Sequence, residues 1–201
     1  MSDEVDPIDS MEDKDLQSIN RVLSGDVAAF GSVYDAYIEP IYRFVFFRVQ
    51  NHHVAEDVTS DIFLKALDRI HTYKSNRGSF RTWLYQLARN TIIDYYRTTK
   101  QTVSIEEAYD VPSNSHVSVE MVDSTLLAEK VGKYLSGFKD VERDILILRI
   151  WQEMPYSEIA GIVGKKEDAC KKIYIRAIEK IQKIFPPHLA TLIFISLLTD
   201  L

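Results

Sequence analysis

The chain has 201 residues, of which 46% are hydrophobic and 27% charged, a composition typical of soluble globular domains and not of disordered chains. Its single cysteine, Cys170, excludes an internal disulfide and a cysteine-cluster metal site, and it favours a reducing compartment. The formal net charge of −6 argues against a nucleic-acid partner at first sight. However, residues 1–15 hold seven acids and one lysine, so the remainder is neutral overall and the charge excludes little.

The N-terminal residues are acidic, where a signal peptide needs a positive charge followed by an apolar run. We predict that residues 1–15 form a disordered acidic tail. The longest apolar stretch covers ten residues, 189–198, whereas a membrane-spanning helix needs roughly 20. We therefore expect a cytoplasmic protein with no membrane span.

Glycine is scarce and apolar residues recur at helical spacing, which predicts an all-α fold. The first helical pattern runs from Asp26 to Arg48, and Pro40 is expected to kink it or to start a second helix. A helix is predicted from the residues after Asn51 to about Ile70. A polar loop over 72–79 precedes a helix that runs from Phe80 to about Thr99.

Residues 104–129 contain six acids and no base, which predicts an interdomain linker. The domains are expected at 16–100 and 124–185, with the linker over 101–123 and an apolar C-terminal extension over 186–201. Helices of the second half are predicted near residues 126–135, 141–152, 156–163 and 167–185.

Basic and aromatic side chains alternate over residues 71–97. Positive charge can follow a phosphate backbone while aromatic faces stack on unpaired bases, and the loop could line a pocket for an extruded base. The other interpretation is an aromatic core with a solvated basic face; Phe80 and Trp83 are expected in the core under both. The candidate binding residues are Tyr73, Lys74, Ser75, Asn76, Arg77, Ser79, Arg81, Gln86, Arg89, Asn90 and Arg97.

The helix over 54–70 is apolar on one half and polar on the other, with Leu64 ringed by charged residues. An apolar centre with a polar rim is typical of a protein-docking surface. A solvated helix face with one exposed leucine is the other interpretation, and single exposed apolar residues are common. The candidate docking face consists of Asp57, Ser60, Asp61, Leu64 and Lys65.

Residues 155–160 open a short helix, Gly164 supplies a turn, and a longer helix follows with a basic stripe. This order is typical of a DNA-binding helix-turn-helix, in which the second helix enters the major groove. A plain helical hairpin with a solvated basic face remains the alternative. The candidate contacts on and before the second helix are Lys165, Lys166, Lys171, Lys172, Ile175, Arg176 and Lys180.

Taken in this order, the three pieces resemble the extracytoplasmic-function sigma factors of bacterial RNA polymerase over roughly residues 26–97 and 124–185. The resemblance is most specific around Phe80–Arg97. The motifs that carry it are Ala55-Glu56-Asp57-Val58, Phe63-Leu64-Lys65-Ala66, Gly78-Ser79-Phe80-Arg81-Thr82-Trp83-Leu84-Tyr85, Asp94-Tyr95-Tyr96-Arg97 and Tyr156-Ser157-Glu158-Ile159-Ala160.

The resemblance implies a sigma-2-like helical bundle and a sigma-4-like helix-turn-helix domain, joined by the acidic linker. It implies that the docking face binds core RNA polymerase, that the basic aromatic segment melts the −10 element and holds a flipped base, and that the helix after Gly164 reads the −35 element as duplex. An anti-sigma factor is a further partner that such proteins can have.

Three departures from the family pattern concern the second half. First, Lys166 replaces the usual serine or threonine cap, and Glu167 and Asp168 after it suit the helix dipole but would repel phosphate. Second, Ile173 stands where the family often has a base, so −35 contacts could be altered. Third, the extension over 186–201 goes beyond the usual end and could pack on the second domain, dock a regulator or restrain DNA binding.

No residue set resembles a catalytic or metal-binding constellation, so we expect neither an enzyme nor a cofactor. His52 and His53 are expected to assist helix capping. A stand-alone helix-turn-helix regulator that binds duplex DNA is the alternative function, but such a protein has no use for a single-strand surface or for the docking face.

Overall fold

The structure, a computed structural model, describes residues 7–103, 131–132 and 134–184, and none of these residues lies in a strand. The predicted all-α fold is confirmed. The first helical unit contains α1 (Pro7–Leu23), α2 (Phe30–Val49), α3 (His52–Arg69) and α4 (Phe80–Val103). The second unit contains helical residues 131–132 and 134–135, then α5 (Asp140–Ile150), α6 (Tyr156–Val163) and α7 (Glu167–Ile184).

The core of the first unit consists of the apolar faces that the helical spacing predicts. Phe44 of α2, Ile62 of α3 and Leu84 of α4 are fully buried. The ring of Phe44 meets that of Tyr85 edge to face, with 5.4 Å between the centroids. Burying several such side chains stabilises each helix far more than its intrinsic propensity does.

Pro40 does not start a second helix, because α2 runs through it without a break. Proline removes one backbone hydrogen bond to the carbonyl four residues earlier. That carbonyl belongs to Ala36, which is exposed, so water can replace the missing donor. Before Pro40, the ring of Tyr34 packs on Phe63 of α3, and after it Phe44 packs on Tyr85 of α4. These contacts hold both halves of α2 in place.

The prediction of a disordered tail over residues 1–15 is wrong from residue 7 onward, since α1 begins at Pro7. Asp15 is buried in spite of its charge. Its carboxylate accepts a hydrogen bond from the buried hydroxyl of Tyr37 on α2. Burial, together with this hydrogen bond, raises the pKa of Tyr37 above its ordinary value. Residues 1–6 lie outside the described part of the chain.

Asn51, and neither of the two histidines, caps α3. Its side-chain oxygen accepts a hydrogen bond from the backbone N–H of Val54 at 3.0 Å, the usual N-cap arrangement. His52 instead lies 2.8 Å from the hydroxyl of Tyr42 through Nδ1 and stacks on Phe46. The predicted capping role of the histidines is therefore wrong.

Replacing Tyr37 with phenylalanine is expected to lower the free energy of unfolding by about 1.5–3 kcal/mol, the usual worth of a hydrogen bond to a charged group. Urea unfolding followed by circular dichroism measures the change. Tyr34→Phe is the matched control, since Tyr34 is exposed on the same helix and its loss of a hydroxyl should change little. Equal stability of the two variants would contradict this account of Asp15.

The two helical units pack against each other and share one apolar core. Phe47 of α2 lies 4.7 Å, centroid to centroid, from Trp151, which follows α5. The hydroxyl of Tyr85 donates to Gln152 at 2.7 Å. The predicted linker after residue 103 and the extension over 186–201 lie outside the described residues, and α4 continues to Val103, past the predicted start of the linker. No helix within the described ranges is long and apolar enough to cross a membrane.

Candidate functional site

A cleft of about 270 Å³ lies where the polar loop meets α4. Gly78 adopts a positive φ of 139°, which glycine tolerates best, and this bends the chain back so that the carbonyl of Gly78 accepts from the hydroxyl of Tyr73 at 3.3 Å. The loop therefore forms a wall of the cleft. The cleft is lined by Thr72, Tyr73, Lys74, Arg77, Gly78, Ser79, Thr82, Trp83 and Gln86.

Aromatic rings form the apolar side of this cleft. Phe80 is buried, as predicted, and its ring meets Tyr73 edge to face at a centroid distance of 5.5 Å. Trp83 packs 5.4 Å from Phe80 but is half-buried, so the prediction that Trp83 is a core residue holds for only part of its ring. The remainder is available to the cleft. Lys74, Ser75, Asn76 and Arg77 are exposed around it, and Ser79 is half-buried.

Three candidate residues on α4 are engaged by the second unit and do not lie on a free surface. Arg81 donates twice to Glu158 of α6, through Nε and Nη2 at 3.0 Å each. The side chain of Gln86 donates to the backbone carbonyl of Gly161 at 2.8 Å. Arg89 donates through Nε to Asp144 of α5 at 2.9 Å. Asn90 and Arg97 are exposed, and Arg97 pairs with Asp94 at 3.1 Å.

Asp144 is the centre of a buried ionic network between the units. Its carboxylate and the side chain of Arg48 are each only 2% exposed, and Arg48 Nη1 lies 2.5 Å from Asp144 Oδ1. Arg89 reaches the other carboxylate oxygen. Burial raises the pKa of the Asp144 carboxyl, against the opposing effects of Arg48 and Arg89. Burial and the nearby charge of Arg48 lower the pKa of Arg143, which donates to the Arg48 carbonyl at 3.3 Å.

The pairing of Arg81 with Glu158 is also partly withdrawn from water, with side chains 22% and 17% exposed. Burial disfavours the charge on Arg81, but the hydrogen bonds and charge of Glu158 outweigh burial and raise the pKa of the guanidinium. A bidentate arginine–carboxylate pair of this kind is directional as well as strong. Arg81 therefore has a fixed orientation towards α6.

The docking face on α3 is open to solvent. Leu64 is 69% exposed, and Asp57 and Ser60 are also exposed. Asp61 and Lys65 are half-buried and form an ion pair at 2.7 Å. Beside them a groove of about 380 Å³ runs between α3 and α4. The structure thus brings the five candidate docking residues together beside a concave surface.

The helix-turn-helix is formed by α6 and α7. Gly164 ends α6 in the left-handed conformation, with φ 67°, which is the usual glycine C-cap geometry. The candidate contacts Lys165, Lys166, Lys171, Lys172, Ile175, Arg176 and Lys180 are all exposed. Lys180 nevertheless pairs with Glu142 of α5 at 3.3 Å, so its charge is partly neutralised within the unit. In the part of the chain that the structure describes, no group of three His, Cys, Asp or Glu side chains could hold a metal ion.

Sequence reasoning missed the partners of the α4 residues. Helical spacing puts Arg48 on the buried face of α2, yet nothing in the spacing identifies a carboxylate 96 positions away as its partner. Glu158 is easier to identify from the sequence. It lies in the first turn of a short helix, and that helix fixes the direction in which its side chain points. Gly161 lies one turn further on, where a side chain would meet α4.

Comparisons with known proteins place this arrangement in one family. The family model described as Sigma-70 region 2 matches residues 33–102 of this chain. The chain is 31% identical over 141 residues to the RNA polymerase sigma factor YlaC of Bacillus subtilis, covering 66% of this chain and 78% of YlaC. It is 29% identical over 181 residues to the ECF RNA polymerase sigma factor BldN of Streptomyces coelicolor, covering 89% of this chain and 68% of BldN.

The fold is also found among solved structures. The sigma factor RpoE from Bartonella quintana, solved in complex with the anti-sigma factor NepR, superposes with a TM-score of 0.64 at 19% identity. The match covers 77% of this chain and 94% of RpoE. At this identity the likeness concerns the helical fold alone.

Proposed function

The chain belongs to the extracytoplasmic-function sigma factors of bacterial RNA polymerase, and we propose that it binds core polymerase, directs it to specific promoters and helps to melt the −10 element. As a sigma factor it acts in promoter recognition at transcription initiation. We place this work in the cytoplasm, with core polymerase and promoter DNA as partners. An anti-sigma factor is proposed as a third partner, of the class found with RpoE.

The observation that carries this proposal is the presence on one chain of two different basic surfaces, each suited to a different form of DNA. The cleft is lined by the partly exposed rings of Tyr73 and Trp83 and by the basic side chains of Lys74 and Arg77. A site for single-stranded DNA requires this combination of aromatic surface and positive charge. The exposed basic side of α7 suits duplex DNA, because a helix fits the major groove and its cations contact phosphates. A promoter opened at −10 and closed at −35 presents both kinds of DNA.

We assign −10 binding to the candidate residues of the loop and α4, and −35 binding to those of α7. The proposed domains cover residues 16–100 and 124–185, and the first helical unit of the structure extends beyond the first of these ranges, from Pro7 to Val103. Ile173, which stands where the family often has a base, is half-buried and packs against the core, whereas Ile175 is 49% exposed and offers an apolar contact, such as a thymine methyl group accepts. This sequence would therefore read a −35 element with fewer charged contacts.

In vitro transcription with purified core polymerase on a promoter library tests the function. We expect transcripts from a small set of promoters that share −10 and −35 sequences, and none without the protein. Failure to bind core polymerase, combined with tight unaided binding to duplex operators, would favour the stand-alone helix-turn-helix regulator.

Asp61→Arg is expected to weaken binding to core polymerase by about tenfold or more, because like charge at an interface costs several kcal/mol. Asp61 contributes to the rim of the docking face and lies at the groove between α3 and α4. Fluorescence anisotropy of the labelled protein against purified core measures the affinity, and thermal unfolding checks the fold.

Asp35→Arg is the matched control. Asp35 is exposed on α2, so the substitution changes the net charge equally but at a site outside the docking face. Equal weakening by both substitutions would show that only the overall charge matters and would contradict the assignment of the docking face.

A further inference from the structure

We propose that residues 186–201, together with the basic face of α7, bind the surface of an anionic lipid bilayer. Binding to lipid goes beyond the role in transcription and rests on the proposed function only where lipid is set against DNA. The basis is a juxtaposition in the chain. A row of exposed cations on α7 is followed directly by the longest apolar stretch of the sequence.

The exposed face of α7 carries a net positive charge. Lys172, Arg176 and Lys180 follow one another at steps of four residues, and Lys183 comes three residues later, so helical geometry puts all four on one side. Each of them is exposed. Residues 171–183 hold five cations and one acid, Glu179, a net charge of +4. Anionic headgroups attract such a cluster of cations.

The stretch that follows α7 has the composition of a segment that enters lipid. Eight of the ten residues over 189–198 are apolar, and residues 186–201 contain one acid, Asp200, and no lysine or arginine. Ten residues are too few to span a bilayer, which takes roughly 20. They are enough to bury apolar side chains at the boundary between headgroups and acyl chains.

The described part of the second unit offers little apolar surface that could receive this stretch instead. Ile145 of α5, Ile159 of α6 and Ile181 of α7 are already buried in its core. Among the described residues of this unit, Ile175 is the one large apolar side chain that is exposed. Because apolar burial stabilises roughly in proportion to area, eight apolar residues need a larger partner than this single side chain.

The charge beside the apolar stretch indicates which partner that is. A short apolar insertion gives only marginal and reversible membrane binding, and stable attachment takes a second signal, such as a cluster of cations next to it. The α7 cations supply the second signal immediately before the insertion. This combination favours an anionic bilayer over a neutral bilayer and over an apolar surface of another protein.

Lipid and duplex DNA would use the same cations. Lys172, Arg176 and Lys180 are among the residues assigned to the −35 element, and a helix face that lies on headgroups cannot lie in the major groove at the same time. If the proposed function holds, an anionic bilayer therefore withdraws this protein from duplex DNA.

Flotation with lipid vesicles tests the proposal. The full-length protein is mixed with vesicles of phosphatidylcholine and phosphatidylglycerol, or with vesicles of phosphatidylcholine alone, and the bound fraction is measured over a range of salt concentrations. Ile193→Asp places a charge within the apolar stretch. Leu23→Asp is the matched control, because Leu23 is an exposed apolar residue of α1.

A second pair of variants tests the cations. Lys172→Gln/Lys183→Gln neutralises two charges of the α7 face and should weaken binding to anionic vesicles about tenfold or more. Lys74→Gln/Arg77→Gln neutralises two exposed cations of the first unit and should change vesicle binding little. Equal weakening by both pairs would show that only the net charge matters and would contradict the role of α7.

We expect the wild type to bind anionic vesicles but not neutral ones, and to bind more weakly as salt screens the charges. Ile193→Asp should weaken vesicle binding about tenfold or more, since a buried isoleucine side chain is lost, and Leu23→Asp should bind as the wild type does. Anionic vesicles should displace the wild type from labelled duplex DNA of random sequence and leave Ile193→Asp bound.

Equal binding to both kinds of vesicle, or unchanged binding of Ile193→Asp, would overturn the proposal. A lower thermal unfolding midpoint for Ile193→Asp than for Leu23→Asp would overturn it as well, because the apolar stretch would then pack on the protein itself. Self-association without vesicles that Ile193→Asp abolishes would point to a second copy instead. The proposed function fails separately, since it predicts that the wild type and Ile193→Asp both support transcription with core polymerase when no vesicles are present.

Discussion

Replacing Asp144 with alanine should separate the two helical units while both remain helical. The substitution removes the buried carboxylate that pairs with Arg48, so that Arg48 keeps only the largely exposed Asp140 and lies next to the positive charge of Arg143. Removing one partner of a buried ion pair costs about 3–5 kcal/mol, and the chain avoids this cost if it opens and hydrates Arg48. Small-angle scattering should show an increased radius of gyration, and far-ultraviolet circular dichroism should be unchanged.

Two further variants make the result specific. Asp140→Ala removes the other carboxylate that pairs with Arg48, but the side chain of Asp140 is 70% exposed. Exposed ion pairs contribute about 0–1 kcal/mol, so in this variant the two helical units should stay packed together. Combining Asp144→Ala with Arg48→Met should largely restore the packing of the two units, because the most deeply buried cation is removed together with its carboxylate and Arg89, at 19% exposure, retains contact with water. If Asp144→Ala had the radius and unfolding midpoint of the wild type, the network would not hold the units together.

Arg176→Ala should weaken duplex binding by about 1–3 kcal/mol, the usual worth of an arginine that contacts a base edge. Arg176 is exposed on α7, so the loss should be visible with the free full-length protein. Competition between fluorescein-labelled duplex of a promoter found in the transcription screen and duplex of random sequence measures it. Loss of affinity for the promoter alone indicates a base contact.

The salt dependence of binding shows whether Arg176 contacts a phosphate instead. Loss of a phosphate contact weakens binding to all sequences alike and reduces the slope of log affinity against log salt concentration by about one. Lys180→Ala is the control, because Lys180 already pairs with Glu142 and should contribute less. An Arg176→Ala variant that binds both duplexes as the wild type does would show that α7 meets DNA through another face or not at all.

Amphipathic spacing predicted most of the fold, because a helix that buries one face must repeat its apolar residues every three or four positions. The apolar side of α3, from Ala55 to Ala66, and Ile70 directly after the helix are buried as expected. Spacing failed where a single residue overrode it. Pro40 looked like a helix break, but its effect depends on whether water reaches the carbonyl of Ala36, and this depends on the tertiary structure.

The closure of the two units could not be predicted from the sequence. An acidic residue such as Asp144 is compatible with a solvated surface, a helix cap or an ion pair, and its partner depends on a packing across the linker. The sequence did place Gln86 and Arg89 on one polar face, because that requires only helical geometry. It could not say whether that face meets water, DNA or another part of the chain.

The bidentate pairing of Arg81 with Glu158 has a consequence for how such a protein can diverge. A substitution at Arg81 that improved contact with one promoter would at the same time loosen the hold of α6, and one at Glu158 would alter promoter binding without touching DNA. If Arg81 contacts both Glu158 and promoter DNA, promoter preference and the packing of α6 on α4 cannot change independently. New promoter specificities would then arise through paired changes at two positions that lie 77 residues apart in the chain.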